Sequence, residues 1–457
     1  MMNNEKGSVL ITILAVFLII SLLFGSVILY GSWHKFQAQK GLLDLKASYL
    51  AEAGVNRAIW CLSGNQDRDI WWRPENYHQD IDKADSYDFT IYNWGSYIAI
   101  DSQGKSGGTT KKVKAILGQK PDETYKYAIN LGDPAYPLVV TGNSRIIGDV
   151  RVGPAGVMPG RFEGEEFIGK KLVDGNILIT KDLRLPAYSN KPLEEFAQVI
   201  ENQKRKPDLT IDRTLVIDDK VELNYFKDKC VQVNGDLVFG SSGQTVFKGP
   251  GFVWCEGRIE ITRNTKLEGG LILFAKKGII LSDDCQVRDC LLYSPSEIVM
   301  QDNCRFGSQA ISDIGITVKG HATTSYPALL LVKGRKEEKS IEGSISIESD
   351  NPVEGILVFC GEVPDTNSKL ANNGIVHIKS NADFYGIMYS SGYVTIEGEA
   401  FGCINTHRFY LYKSPTTYIN WLKDALIDRS KLNKEMILPI GLDNSSGLEI
   451  VKYMCLN

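Results

Sequence analysis

Between Val9 and Tyr30 the chain carries no charged residue. At about 1.5 Å per residue, this apolar run of roughly 22 residues reaches across a hydrocarbon core about 30 Å thick. No proline interrupts the sequence that follows, "SWHKFQAQKGLLDLKASYLAEAGVNRAIW". The pattern therefore predicts one helix over 8–60, about 80 Å long. In its outer half Phe36, Leu43, Ala47, Leu50, Gly54 and Ala58 recur at three, four or seven residues, an apolar stripe that needs cover. A secretory signal would have a shorter apolar core, of about 7–15 residues, and a small-x-small cleavage site. Flanking charge does not orient the segment, because Lys6 is offset by Glu5 while Lys35 and Lys40 lie on the other side.

After the helix the period changes from 3.6 to 2. "YDFTIYN", "SYIAID" and "TKKVKAIL" read as three strands parted by the turns "WG" and "SQGKSGGT". They predict a small antiparallel β domain over 61–120, packed on the outer half of the helix. Trp71 and Trp72 precede its first strand and are expected to pack against the helix rather than to form an exposed binding patch.

From residue 138 to 412 an irregular repeat takes over. "RNTKLEGGLILF", "DDCQVRDCLLYS", "DNCRFGSQAIS", "DNPVEGILVF" and "SNADFYGIMYS" each run from polar turn residues into an apolar, glycine-bearing strand. Short pieces such as "GRIEI", "GIIL", "EIVM", "GSISI" and "GIVHI" lie between them. Coils of about 18–21 residues with Asn, Asp and Gly at the turns are the pattern of a parallel β-helix, here of about ten or more coils. "KPLEEFAQVIENQKRKP" interrupts the coils as a helical insertion and "KGRKEEKSIEG" as a loop. "SPTTYINWLKDALIDRS" reads as an amphipathic helix capping the open end, within a C-terminal helix and tail over 413–457. The fold class expected is mainly β: a long N-terminal helix, a small antiparallel sheet, then a parallel β-helix with a C-terminal helical cap.

Composition narrows the function. Lys plus Arg number 51 against 55 Asp plus Glu, so there is no overall basic field and nucleic acid is not an expected partner. The nine cysteines and five histidines form no metal-ligand spacing, and no metal site or cofactor is signalled. Parallel β-helices include polysaccharide-cleaving enzymes, so Asp283, Asp284, Asp289 and Asp302, with Arg288 and Arg305, are candidates for carboxylate chemistry. They fall in the recurrent turn, where an Asx role accounts for them. Cys285 and Cys304 occupy equivalent turn positions one coil apart and read as a buried thiol ladder rather than a disulfide. His377 and His407 read as strand or turn residues rather than ligands. No catalytic residue is assigned.

The leader "MMNNEKG", the Gly7–Ser8 junction, the apolar run directly after it and "ASYLAEAGVNRAIW" together resemble the type IV pilin-like proteins, specifically the minor pilins whose helix ends in "AEAG". The resemblance covers about the first 60 residues. It implies a leader over 1–7, cleavage between Gly7 and Ser8 by a prepilin peptidase, and N-methylation of Ser8. It also implies a single-pass precursor in the cytoplasmic membrane with its bulk outside, moving to the pilus or cell surface on assembly. The implied assembly helix includes Thr12, Glu52 and Gly54, and the implied partners are other pilin subunits. Major pilins usually carry Glu at the fifth mature position; Thr12 stands there and cannot supply the charge, which points to a minor or tip subunit. The β-helix would be displayed for adhesion, capping, or binding a surface polysaccharide or a host or abiotic surface. Two other readings are a membrane-tethered β-helix lyase or hydrolase, and a scaffold that associates end to end.

Overall fold

The computed structural model of the chain describes residues 5–64, 75–183, 185–204, 206–217, 225–240, 245–336, 340–361, 371–372, 374–432, 436–442 and 447–456. Trp71 and Trp72 lie outside the described residues. The chain divides into two compact units. One comprises the residues up to Tyr92, Ala99–Ala115 and the end from Tyr453; the other comprises Asn93–Ile98 and Ile116–Lys452.

The first unit is built on helix α1, Glu5–Gly64, 60 residues long. Strands β1 (Glu75–Asp82), β2 (Asp85–Trp94), β3 (Tyr97–Ser106) and β4 (Thr109–Gln119) follow one another in a small sheet, and the C-terminal strand Leu448–Leu456 lies next to β4. Alternation along β2 buries Tyr87, Phe89 and Ile91 and leaves the residues between them half-buried, as expected of a strand with one covered face. The stretch "SQGKSGGT" is mostly strand: β3 runs on to Ser106, and the reversal is confined to Gly107–Gly108, both at positive φ.

The core of the second unit is a stack of parallel strands. Cys230–Val233, Gly251–Cys255 and Leu271–Ala275 pair in register, as do Leu237–Phe239, Ile259–Ile261 and Ile279–Leu281, about 20 residues apart in sequence. Up to three strands per coil wind about a single interior, a parallel β-helix. One inward row runs Val231, Val253, Leu273, Leu292, Ala310, Leu330, Leu357, Met388 and Ile404, all fully buried or nearly so. Each large aliphatic side chain in such a row contributes about 1.5–3 kcal/mol of apolar burial. At the turns, Arg263 and Asn264, and one coil on Asp283 and Asp284, take left-handed φ of 50–59°. Backbone bonds from Thr265 N to Thr262 O and from Cys285 N to Ser282 O close these turns at 3.3 Å.

The coils are not stacked in chain order. Winding runs from Leu209 to Asp428, but the strand Ile129–Leu131 pairs with the coil that contains Ile404–Thr406, and Arg145–Ile147 pairs with Leu426–Asp428. Val150–Val152 then stacks on Ile129–Leu131, and Ile177–Ile179 on Val150–Val152. The first coils in sequence are thus the last in space. The chain returns to the far end through 181–208, which includes the helix α2, Lys191–Lys204. This strap covers outward-facing apolar residues of the stack. Tyr389 Oη donates to Pro186 O at 2.7 Å, and Lys204 Nζ lies 4.0 Å from the Trp254 ring centroid.

The expected C-terminal helix is absent. Residues 416–428 form three short strands, Thr416–Ile419, Trp421–Lys423 and Leu426–Asp428, followed by a single 3₁₀ turn at Arg429–Lys431. Asn420 and Asp424 adopt left-handed φ of 60° and 52° and break the helical period at two points. The β-helix extends beyond the expected 138–412, from Ile129 to Asp428, and the end of the chain returns to the small sheet as a strand.

Candidate functional site: the N-terminal helix and its docking face

Two surfaces of different character succeed each other along α1. The apolar stretch within Val9–Ser63 that forms a candidate membrane span has no buried residue. Leu10, Ile11, Leu14, Phe17, Leu22 and Phe24 are exposed. This length and composition suffice to cross a membrane. Gly7, Ser8 and Thr12 all lie within the helical backbone of α1, while leader residues 1–4 lie outside the described residues.

Farther along, Ala47, Ala51, Gly54, Val55, Ala58 and Leu62 are buried on one side, at spacings of three and four. The expected stripe thus holds at Ala47, Gly54 and Ala58. Leu43 and Leu50 are half-buried, and Phe36 is exposed. Small residues let the sheet come close: a Cβ added at Gly104 would sit 2.1 Å from Ala47 O, and one at Gly54 would sit 2.2 Å from Ser102 Oγ. Glu52 points outward, beside Tyr453. Burial, and then the Glu52 charge, push the Tyr453 phenol up to about 12.

An ion pair between Lys46 and Asp85 ties the helix to the start of β2, and Ser106 Oγ donates to Asp85 at 2.7 Å. The Lys46 hydrogen bond, followed by that of Ser106, holds the Asp85 carboxyl below its usual range. Sequence reasoning missed Asp85 and Gly104. The small-residue spacing on α1 announces a close approach but does not name the strand that makes it.

The β-helix candidates fall into turns and ladders. Asp283, Asp284 and Asp302 are left-handed turn residues, and Asp289 also has positive φ and pairs with Lys452. Cys285 and Cys304 are buried free thiols. The neighbouring Cys304 thiol, with burial, pushes Cys285 strongly up, so it stays protonated. His377 faces Glu397 at 3.4 Å from an outward strand position, and burial pushes His407 down. These residues are spread over several coils.

The strap is fastened near its far end by charge. Glu256 receives Lys204 at 2.9 Å, Lys276 at 3.2 Å and the Trp254 indole N–H at 2.9 Å. Lys204 foremost lowers its carboxyl to about 2. The folded value lies below the ordinary one, so this contact stabilises fully above about pH 4.5 and fades as the pH falls towards about 2. Amide exchange in α2 is expected to quicken over that window, and Glu256→Gln should remove the pH dependence there.

No protein-family model matches the chain. No curated protein matches it either. Among solved structures, the crystal structure of the competence-associated pilin ComZ from Thermus thermophilus is similar at 13% identity, covering 91% of this chain and 97% of that one, with a TM-score of 0.22. Likeness at that level fixes neither fold nor function for this chain.

Proposed function

We propose that the protein is a minor pilin-like subunit of a type IV pilus or related filament, anchored and assembled through α1. The observation that carries this reading is a single 60-residue helix whose first part exposes an uncharged apolar surface and whose second part is buried against a small sheet. A helix serving only as a membrane tether gains nothing from continuing unbroken into a packed domain. One that must pass from bilayer to filament keeps its folded domain at a fixed distance along the same rod. The junction Gly7–Ser8 is the processing point, Ser8 the new and methylated terminus, and Thr12 marks a minor or tip position. Other pilin subunits pack on the exposed half of α1, and the β-helix is carried outside the membrane, where its regular outward rows engage a surface polymer or a host or abiotic surface.

Edman sequencing of membrane-extracted protein, co-expressed with a prepilin peptidase, tests the processing step. A mature chain beginning at Ser8 is expected, and Gly7→Leu should leave the chain unprocessed. A chain that still begins at Met1 in the unaltered protein overturns the reading.

A further inference from the structure

The stack contains one level that the chain does not bridge. Everywhere else along the main run the chain passes directly from one coil to the next, through tight turns or through single insertions such as the one between Val332 and Ser344. Between the coil 399–428 and the coil that begins at Ile129, the covalent path runs through the rest of the β-helix and the strap. Apolar packing alone leaves such a level underdetermined, because a slip of two residues along a parallel strand restores the same inward and outward faces.

Buried polar side chains are concentrated at this level. Along the outward row of one column, Trp254, Phe274, Tyr293, Ile311, Leu331, Val358 and Tyr389 are aromatic or aliphatic and stack in order. At the unbridged level the row becomes Asn405 against Asn130, 0% and 1% exposed, with Asn130 Nδ2 donating to Asn405 Oδ1 at 2.7 Å. Beside them Arg408 Nε donates to the buried carboxylate of Asp133 at 2.7 Å. Asn420, fully buried at left-handed φ, accepts from Phe409 N at 3.0 Å and donates to Tyr136 O at 3.4 Å, so it bonds on both sides of the level. At the turn, Asn143 N donates to Asp424 Oδ1 at 2.8 Å and Ala425 N to Ser144 Oγ at 3.2 Å.

We propose that residues 128–180 form a docking module, held on the coil 399–428 by a polar joint that selects one register and lets the module open as a unit. Displacement by two residues would bury Asn130, Asn405, Asp133 and Asn420 without these partners, and each unsatisfied group opposes the wrong register. The same dependence on side-chain partners, with no chain connection across the level, makes the joint the place where the stack parts first. Its closest counterpart is a protein–protein interface folded into one chain.

Hydrogen-exchange mass spectrometry on the full-length protein tests this. Ile129–Leu131, Leu138–Thr141 and Ile404–Thr406 should exchange together. Arg408→Met, which leaves Asp133 buried without its cation, should speed exchange there by about tenfold or more while Leu271–Ala275 and Ile279–Leu281 keep their rates. Faster exchange spread evenly over all coils, or no change at the joint, overturns the proposal. A second variant, Asn405→Ala, removes the bond to Asn130 without leaving a buried charge. Exchange at Leu138–Thr141 should again quicken by about tenfold or more while Leu271–Ala275 keeps its rate, and an unchanged rate at Leu138–Thr141 overturns the proposal.

Discussion

Replacing Gly386 with alanine is expected to destabilise the β-helix by about 3–5 kcal/mol, through backbone strain and overpacking together. Gly386 has φ of 155°, and a Cβ placed there would sit 1.8 Å from Gly355 O, which belongs to the coil below. The obstacle is backbone of a stacked strand, so no side-chain rotation relieves it. Gly402 repeats the arrangement one coil on, at φ of 156° and 1.8 Å from Gly386 O, so a shift made to accommodate alanine is passed along the stack. Thermal melting followed by circular dichroism should show the β transition lowered by more than about 6 °C. The control is Gly240→Ala, where a Cβ would meet nothing nearer than Thr262 Oγ1 at 3.5 Å. If both variants melt together, close backbone stacking at Gly386 is not what holds these coils.

Gly104→Val should have the second largest effect, about 2–4 kcal/mol, and it should act on the other unit. The strand carrying Gly104 lies against the α1 backbone itself: an added Cβ would stand 2.1 Å from Ala47 O and 2.4 Å from Ala51 N. Valine must push strand and helix apart, which uncovers Ala51, Val55 and Ala58 and pulls on the Lys46–Asp85 contact. Limited proteolysis should then cut within β2–β4 at protease levels that leave the parent intact, while the β-helix remains resistant. Gly41→Ala is the control, because a Cβ there meets no atom within 4 Å and helix propensity favours alanine. Equal resistance of Gly104→Val and the parent would show that close approach is not needed for docking.

Features set by neighbouring residues were legible in the sequence. The left-handed turn at Asp283–Asp284 is local chemistry, as is the helical period of "KPLEEFAQVIENQK", and both appear where expected. Strands β2, β3 and β4 follow from alternation alone, whereas the polar β1 (Glu75–Asp82) was not read as a strand. The C-terminal segment was misread because Ile419, Leu422 and Ile427 fit a helical face as well as they fit three short strands. What decides is Asn420 and Asp424, whose left-handed turns are stabilised by contacts with residues 133–143. The spatial order of the coils was illegible for the same reason on a larger scale. Asn130 and Asn405 stand 275 residues apart, and either reads alone as an ordinary polar strand residue. Of the assembly helix, the apolar run and the small-residue stripe were readable; Gly104 and Asp85, which receive that stripe, were not.

The displaced order of the coils bears on how the β-helix would carry a load. Its entry and exit both leave at the unbridged level, and outside the stack Gln119 N donates to Leu438 O and Leu438 N to Gln119 O, each at 2.8 Å, while Lys120 N donates to Gly447 O at 3.0 Å. Tension along the chain from β4 to the C-terminal strand therefore meets this backbone clasp first. While the clasp holds, the force is short-circuited across three hydrogen bonds and the coils beyond it bear none. A β-helix whose coils ran in simple chain order would have its two ends at opposite poles of the stack and would be stretched in series with the strands that carry it.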